Sequence, residues 1–261
     1  MNILDKIIAH KREEVEVRKM MVSDEALKQT IFFNRTCISL KQNLLKENAM
    51  GIIAEFKRKS PSKGFINQHA DIIAVTNAYT QWGASGLSVL TDNEFFGGST
   101  EDLVSARENN IPILRKDFMI DPYQVLNAKA MGADVILLIA ACLSPAEVRS
   151  LAAFAKETGL EVLLELHDEH ELEHICDEVD MVGINNRNLK TFKVDIQQSL
   201  KLGDRIPADK VKIAESGIDS VETIGMFKDA GFKGFLIGEK FMKEPDPALA
   251  FKTFVERLRQ Y

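Results

Sequence analysis

A closed (β/α)8 barrel carrying an N-terminal helical extension is the fold class the sequence predicts, on three observations. Short apolar runs of nearly equal length recur at 51–56, 86–90, 112–115, 134–139, 160–165, 180–184, 211–214 and 234–237. Segments with helix start and stop signals lie between them, the alternation of parallel strands with crossover helices. All but the fourth run end in, or lead straight into, a polar residue or a glycine, as expected where strand ends gather round one mouth. A doubly wound open sheet shares the alternation. However, no GxGxxG or GxxxxGK[ST] occurs, and no run reads as an antiparallel hairpin. The barrel is the better reading.

Residues 1–50 precede the cycle and look helical. Ile3, Leu4, Ile7 and Ile8 follow helical spacing, and Lys11 to Glu16 read as a charged, solvated face. Phe32 and Phe33 read as buried under a bend, and Ser39 to Glu47 as another short helix. The expected division is an extension at 1–50, packed over one end of the body, and a barrel at 51–261. Within the barrel, Asp121-Pro122-Tyr123-Gln124 and Ser144-Pro145-Ala146-Glu147 each supply an N-cap, a first-position proline and a third-position Gln or Glu. Asp168 with Glu171, and Asp219 with Glu222, repeat the capping pattern. Ser99 or Thr100 caps a further helix, and Pro245-Asp246-Pro247 starts another. Helices are expected to stop at Gly83, Gly132, Gly159 and Gly231.

Composition narrows the function classes. The chain has 261 residues, and a single α/β barrel takes ~250. A net charge of -6 argues against a general nucleic-acid surface, which needs clustered lysine and arginine. Cys37, Cys142 and Cys176 are far apart with no CxxC, and read as reduced thiols of a cytoplasmic protein. No secretory pattern opens the chain, and the apolar run Val135 to Leu143 is about half of the ~20 residues a membrane helix needs. Neither a nucleic-acid nor a membrane partner is expected.

If the barrel closes, its mouth holds Glu55, Lys57, Thr91, Lys116, Ala140, Glu165, Asn185, Glu215, Ser216 and Gly238. Side chains two apart in a strand share a face, so Ile53 lies beneath Glu55 and Lys57, Leu114 beneath Lys116, Leu163 beneath Glu165 and Ile213 beneath Glu215. Rim ion pairs that serve stability would also gather such charges. Three carboxylates and two ammoniums together make a costly way to stabilise a rim, since each must be desolvated. Two lysines in one mouth lower one another's proton affinity while the glutamates raise it, and the sequence leaves the balance open. Arg58 to Gly64 form a basic Ser/Pro/Gly turn suited to an anion. Ser216-Gly217-Ile218 and Gly238-Glu239 follow the seventh and eighth runs, where barrels commonly hold phosphate. Phe95, Phe96 and Phe118 are either core or the lining of an aromatic-ring pocket. His167, His170 and His174 have helical spacing but fall in an acidic helix start, so no metal is expected.

The segments IIAEFKRKSPSKG (52–64), LSVLTDNEFFGGS (87–99), ILRKDFMIDPYQ (113–124), ADVILLIA (133–140), LLELHDE (163–169), GINNRNLKTF (183–192), IAESGI (213–218) and LIGEKFM (236–242) resemble the indole-3-glycerol-phosphate synthase family. The opening ILDKIIAHKREEV is similar too, and Lys240 departs from the pattern, where a serine or another small residue is expected. The resemblance implies a lyase of tryptophan biosynthesis acting on 1-(2-carboxyphenylamino)-1-deoxyribulose 5-phosphate, with no cofactor. It implies Lys116 as general acid, Lys57 for the substrate carboxylate, and Glu165 as base or charge stabiliser. Glu55, Asn185, Glu215 and Ser216 would orient these groups and the sugar hydroxyls. Arg187 would hold the anion or brace the site; Ser60, Gly217 and Gly238 would contact phosphate or shape its pocket; and Phe118 would pack on the ring. Phosphoribosylanthranilate isomerase is the nearest rival but usually relies on an Asp/Cys pair, and a non-catalytic metabolite-binding barrel would bind without turnover. A monomer is expected.

Overall fold

The computed structural model describes residues 3–187 and 193–261. Eight parallel strands close on themselves: β1 (Ile52–Phe56), β2 (Gly86–Leu90), β3 (Ile113–Lys116), β4 (Val135–Ile139), β5 (Glu161–Leu166), β6 (Met181–Asn185), β7 (Val211–Glu215) and β8 (Gly234–Ile237). Closure runs through the register of β1 on β8, with Ile52 opposite Phe235 and Ala54 opposite Ile237. β4, with sequence VILLI, is buried throughout, the pattern of a parallel strand covered on both faces. Period-two alternation sorts its residues and those of its neighbours. Ile53, Leu114, Leu137, Leu163, Ile213 and Leu236 fill the barrel. Ile52, Ala54, Phe56, Ile136, Leu138 and Leu164 pack outward against the helices.

The expected caps organise the outer layer. Asp121 and Ser144 each make a complete capping box with proline in the first turn, starting α6 (Pro122–Ala130) and α7 (Pro145–Glu157). Ser99 caps α5 (Thr100–Ala106) and Asp246 caps α11 (Pro247–Leu258). Gly83, Gly132, Gly159 and Gly231 all take the left-handed conformation, with φ between 79° and 93°. Two caps differ from expectation. Helix α9 (Val221–Asp229) starts from Ser220 rather than Asp219, because the Ser220 hydroxyl accepts the Thr223 amide. Asp168 caps a 3-10 turn, Glu169–His174, since the Glu171 carboxylate is drawn back to accept the His167 amide. An antiparallel ribbon of Lys59–Ser60 with Gly64–Phe65 also lies in the loop after β1. At two residues per strand it has no readable periodicity.

The N-terminal segment reaches both ends of the barrel, not one. Helix α3 (Leu40–Leu45) sits at the amino ends of the strands, where Leu40 and Leu44 join the interior cluster. Glu161, at the start of β5, accepts the Leu40 and Lys41 amides at 2.8 and 3.1 Å and so caps this helix. Helix α1 (Ile3–Met21) lies instead against the carboxyl ends. Lys11, read from sequence as solvated, is fully buried there. Its ammonium lies 2.7 Å from Glu14, 3.0 Å from Asp92 and 2.9 Å from Asp117. Asp117 also accepts from Thr91 at 2.6 Å and Arg115 at 3.0 Å. Burial works to raise its pKa, but Arg115 and then Lys11 hold it down at about 2.

Removing the ammonium strands two buried aspartates, so Lys11→Met should lower stability by about 3–5 kcal/mol. A fall in the urea midpoint with an unchanged slope is the expected reading, and a loss under about 1 kcal/mol would show that the cluster does not hold α1 in place.

Candidate active site

A cavity of about 330 Å³ opens at the carboxyl ends of the strands. Its floor is set by Leu137, Ile139 and Leu236, and its apolar wall by Phe96 and Phe118, whose ring centroids lie 5.9 Å apart. Ile3, Leu4 and Ile7 of α1 form part of the roof. Into this space β1, β3, β5 and β7 project their last inward-facing residues. The Lys116 ammonium stands between two carboxylates, 2.7 Å from Glu165 Oε2 and 2.9 Å from Glu215 Oε2. Lys57 pairs with Glu55 at 2.7 Å. Asn185 donates to Glu165 Oε1 at 3.0 Å and accepts the Arg187 amide at 3.0 Å.

The balance between the lysines and glutamates is settled by this pairing. Burial pulls the Lys116 pKa down, but Glu165, Glu215 and Glu55 together raise it above its ordinary value, so it is an ammonium at neutral pH. The two glutamates part company. Burial raises both, yet Lys116 and His167 carry Glu165 well below the usual carboxylate range. Glu215 feels Lys116 but also the Glu165 charge, and is pushed up to about 7. One carboxylate is thus held ionised while its neighbour keeps a proton until near neutrality.

Glu55, Lys57, Lys116, Phe118, Glu165, Asn185, Arg187, Glu215, Ser216, Gly217 and Gly238 all line the cavity. Ser60 does not. It is buried in the ribbon with its hydroxyl lacking a hydrogen-bond partner among the described residues, and Pro61 and Ser62 face the cavity instead. Arg58 also points elsewhere, into an ion pair with Asp102. Ser216 takes φ 64°, a left-handed turn that a non-glycine residue rarely adopts, and Gly217 follows at 68°. Gly238 abuts Glu55, so close that a Cβ there would fall 2.6 Å from Glu55 Oε1. Residues 188–192 of the GINNRNLKTF segment lie outside the described residues.

Sequence reasoning missed two contributors. His167 Nε2 lies 3.2 Å from Glu165 Oε1, and burial opposed by Glu165 and Glu171 leaves its pKa raised to about 10. Its spacing of two from Glu165 on a strand was the available signal. Gly183 faces Glu215, and a Cβ there would come within 2.1 Å of Glu215 Oε1. Among the described residues no cluster of three or more His, Cys, Asp or Glu side chains is arranged to hold a metal. His174 instead turns its ring to the carbonyls of Glu171 and Leu143.

The family model described as indole-3-glycerol phosphate synthase matches residues 4–254. The chain belongs to the indole-3-glycerol phosphate synthase family. A relative of that name from Bacteroides thetaiotaomicron is 48% identical over 99% of each chain. Another from Bordetella pertussis is 40% identical, covering 97% of this chain and 99% of its own. Among solved structures, the tryptophan synthase α subunit of Legionella pneumophila aligns at a TM-score of 0.61 with 14% identity, over 85% of this chain and 97% of that one. The 3-hexulose-6-phosphate synthase of Salmonella typhimurium aligns at 0.62 with 13% identity, over 80% and 99%. At such identities the common feature is the barrel. Indole-3-glycerol phosphate synthase is a lyase of tryptophan biosynthesis, and its substrate is a phosphorylated small molecule.

Gly183→Ala should displace the Glu215 carboxylate while leaving the barrel folded. A shift of about 1 Å at such a site can cost about a hundredfold in rate, so kcat should fall on that scale with an unchanged circular dichroism spectrum. Full activity would show that the cavity tolerates the methyl group and that the glycine is not needed for positioning.

Proposed function

We propose that Lys116 is the general acid of the ring closure, and the observation that carries this reading is its ammonium held between Glu165 and Glu215 inside the mouth. The substrate, 1-(2-carboxyphenylamino)-1-deoxyribulose 5-phosphate, must bring its ring carbon onto the ribulose carbonyl. A proton delivered to that carbonyl oxygen makes the carbon electrophilic and stabilises the hydroxyl that forms. Loss of carbon dioxide then restores the ring, and loss of water completes the pyrrole.

Lys57 binds the substrate carboxylate, since it stands on the same strand face as Glu55 with its ammonium toward the cavity, and it takes part in the later proton steps. Glu165, kept ionised by its neighbours, serves as base or stabilises positive charge on the anilino nitrogen during dehydration. Glu55, Asn185, Glu215 and Ser216 orient these groups and the sugar hydroxyls. Phe118, with Phe96 beside it, packs on the aromatic ring. The phosphate lies by Gly217 and Gly238, braced by Arg187, and Ser60 reaches it only when the loop 57–64 closes over the substrate. Holding the phosphate far from the reacting carbon lowers the barrier through orientation. The division into an extension at 1–50 and a barrel at 51–261 is supported by the eight barrel strands, all of which follow residue 51. A cytoplasmic protein is supported by Cys37, Cys142 and Cys176, which are all free thiols, and the same reading takes it as a monomer.

Mixing the protein with substrate should produce indole fluorescence, and Lys116→Met should lower kcat by about a hundredfold or more, the contribution of a positioned acid. Turnover within a few-fold of the parent would remove Lys116 from that role. A second experiment concerns His167. Replacing it with glutamine takes a positive charge from beside Glu165, which disfavours the carboxylate and raises its pKa. The base is then lost at a higher pH, so the acidic limb of the kcat/KM profile should move up by about one pH unit. An unmoved limb would assign that limb to another group.

A further inference from the structure

Positive side chains line the cavity at Lys57, Lys116, Arg187, Lys240 and Lys243, and they differ in how far they are already committed. Lys57 is neutralised by Glu55, and Lys116 by Glu165 and Glu215. Arg187 leans on Glu239 at 3.4 Å, and Glu239 also takes Lys63. Lys243 is exposed, where water screens its charge. Lys240 is half-buried, and no carboxylate among the described residues lies within ion-pair distance of it.

Resting on the reading above, we propose that Lys240 supplies the direct side-chain counter-charge to the substrate phosphate and so sets the preference for a phosphorylated substrate. Lys240 follows Gly238 by two residues. Across the β7–β8 pairing, Leu236 lies opposite Glu215, which brings Gly238 and the Ser216–Gly217 turn to one side of the mouth. An incoming dianion would have to break an existing ion pair to use Lys57, Lys116 or Arg187. Lys240 requires no such exchange. Its stem can lie along the apolar rim while the ammonium stays in the cavity. A charge that meets the phosphate equally before and during reaction strengthens binding without touching the chemical step.

The test compares Lys240→Met and Lys240→Arg with the parent on the phosphorylated substrate and on its dephosphorylated analogue. Losing one charge-assisted contact should raise KM for the phosphorylated substrate about tenfold in Lys240→Met with kcat unchanged, and Lys240→Arg should recover most of it. Selectivity for the phosphorylated over the dephosphorylated compound should fall by the same factor. An equal loss on both compounds, a loss confined to kcat, or no loss would each overturn the proposal. Titration calorimetry with inorganic phosphate gives a reading independent of turnover, and weaker binding by about tenfold in Lys240→Met is expected. Equal phosphate affinities would overturn the assignment even if the parent enzyme proved inactive on the substrate, an outcome that would count separately against the roles given to Lys116 and Glu165.

Discussion

The site depends on one unequal encounter, a single ammonium enclosed by two carboxylates. Taking three charges out of water is costly, and the Lys116–Glu165–Glu215 cluster offsets that cost only while its geometry is tight. One positive charge cannot satisfy two negatives at once. The surplus is relieved by a proton held on the Glu215 side and by the His167 imidazolium against Glu165. An ammonium and an ionised carboxylate are thereby kept side by side in the cavity. The rest of the barrel serves this arrangement: Leu114, Leu163 and Ile213 beneath it exclude solvent, and Gly183 leaves room for one of the carboxylates.

The second constraint is steric and comes from what is missing. Gly183 and Gly238 each face a glutamate that would collide with any side chain added there. They let two carboxylates turn inward in a barrel whose interior cluster is leucine, isoleucine, valine and one methionine, Met181. Ser216 holds a left-handed turn without being a glycine, as a residue does when its surroundings fix it for a purpose.

Strand alternation made the central cluster legible from sequence, because period two places Lys116, Glu165 and Glu215 above core residues without reference to the fold. The caps at Asp121 and Ser144 were equally readable, being local chemistry. Lys11 was not. A lysine followed by Arg12, Glu13 and Glu14 has the pattern of a solvated helix face, and only the closed barrel brings Asp92 and Asp117 to it. Gly183 left no trace for the opposite reason, since a side chain's absence carries no pattern until its neighbour's position is known. The Lys59–Phe65 ribbon is too short to be periodic, and Ser220 displaced Asp219 as a cap by a single residue.

The amino-terminal segment touches both rims, and this shapes the order in which the molecule can assemble. Glu161, which caps α3, lies 121 residues beyond Leu40, and the two aspartates that receive Lys11 follow the second and third strands. Helices α1 and α3 find these docking partners only in strands that follow them in the chain, so they cannot be buried until those strands are present. Contacts of such long sequence separation form late and slowly. The α1 roof of the cavity is therefore held by contacts that need later parts of the chain in place.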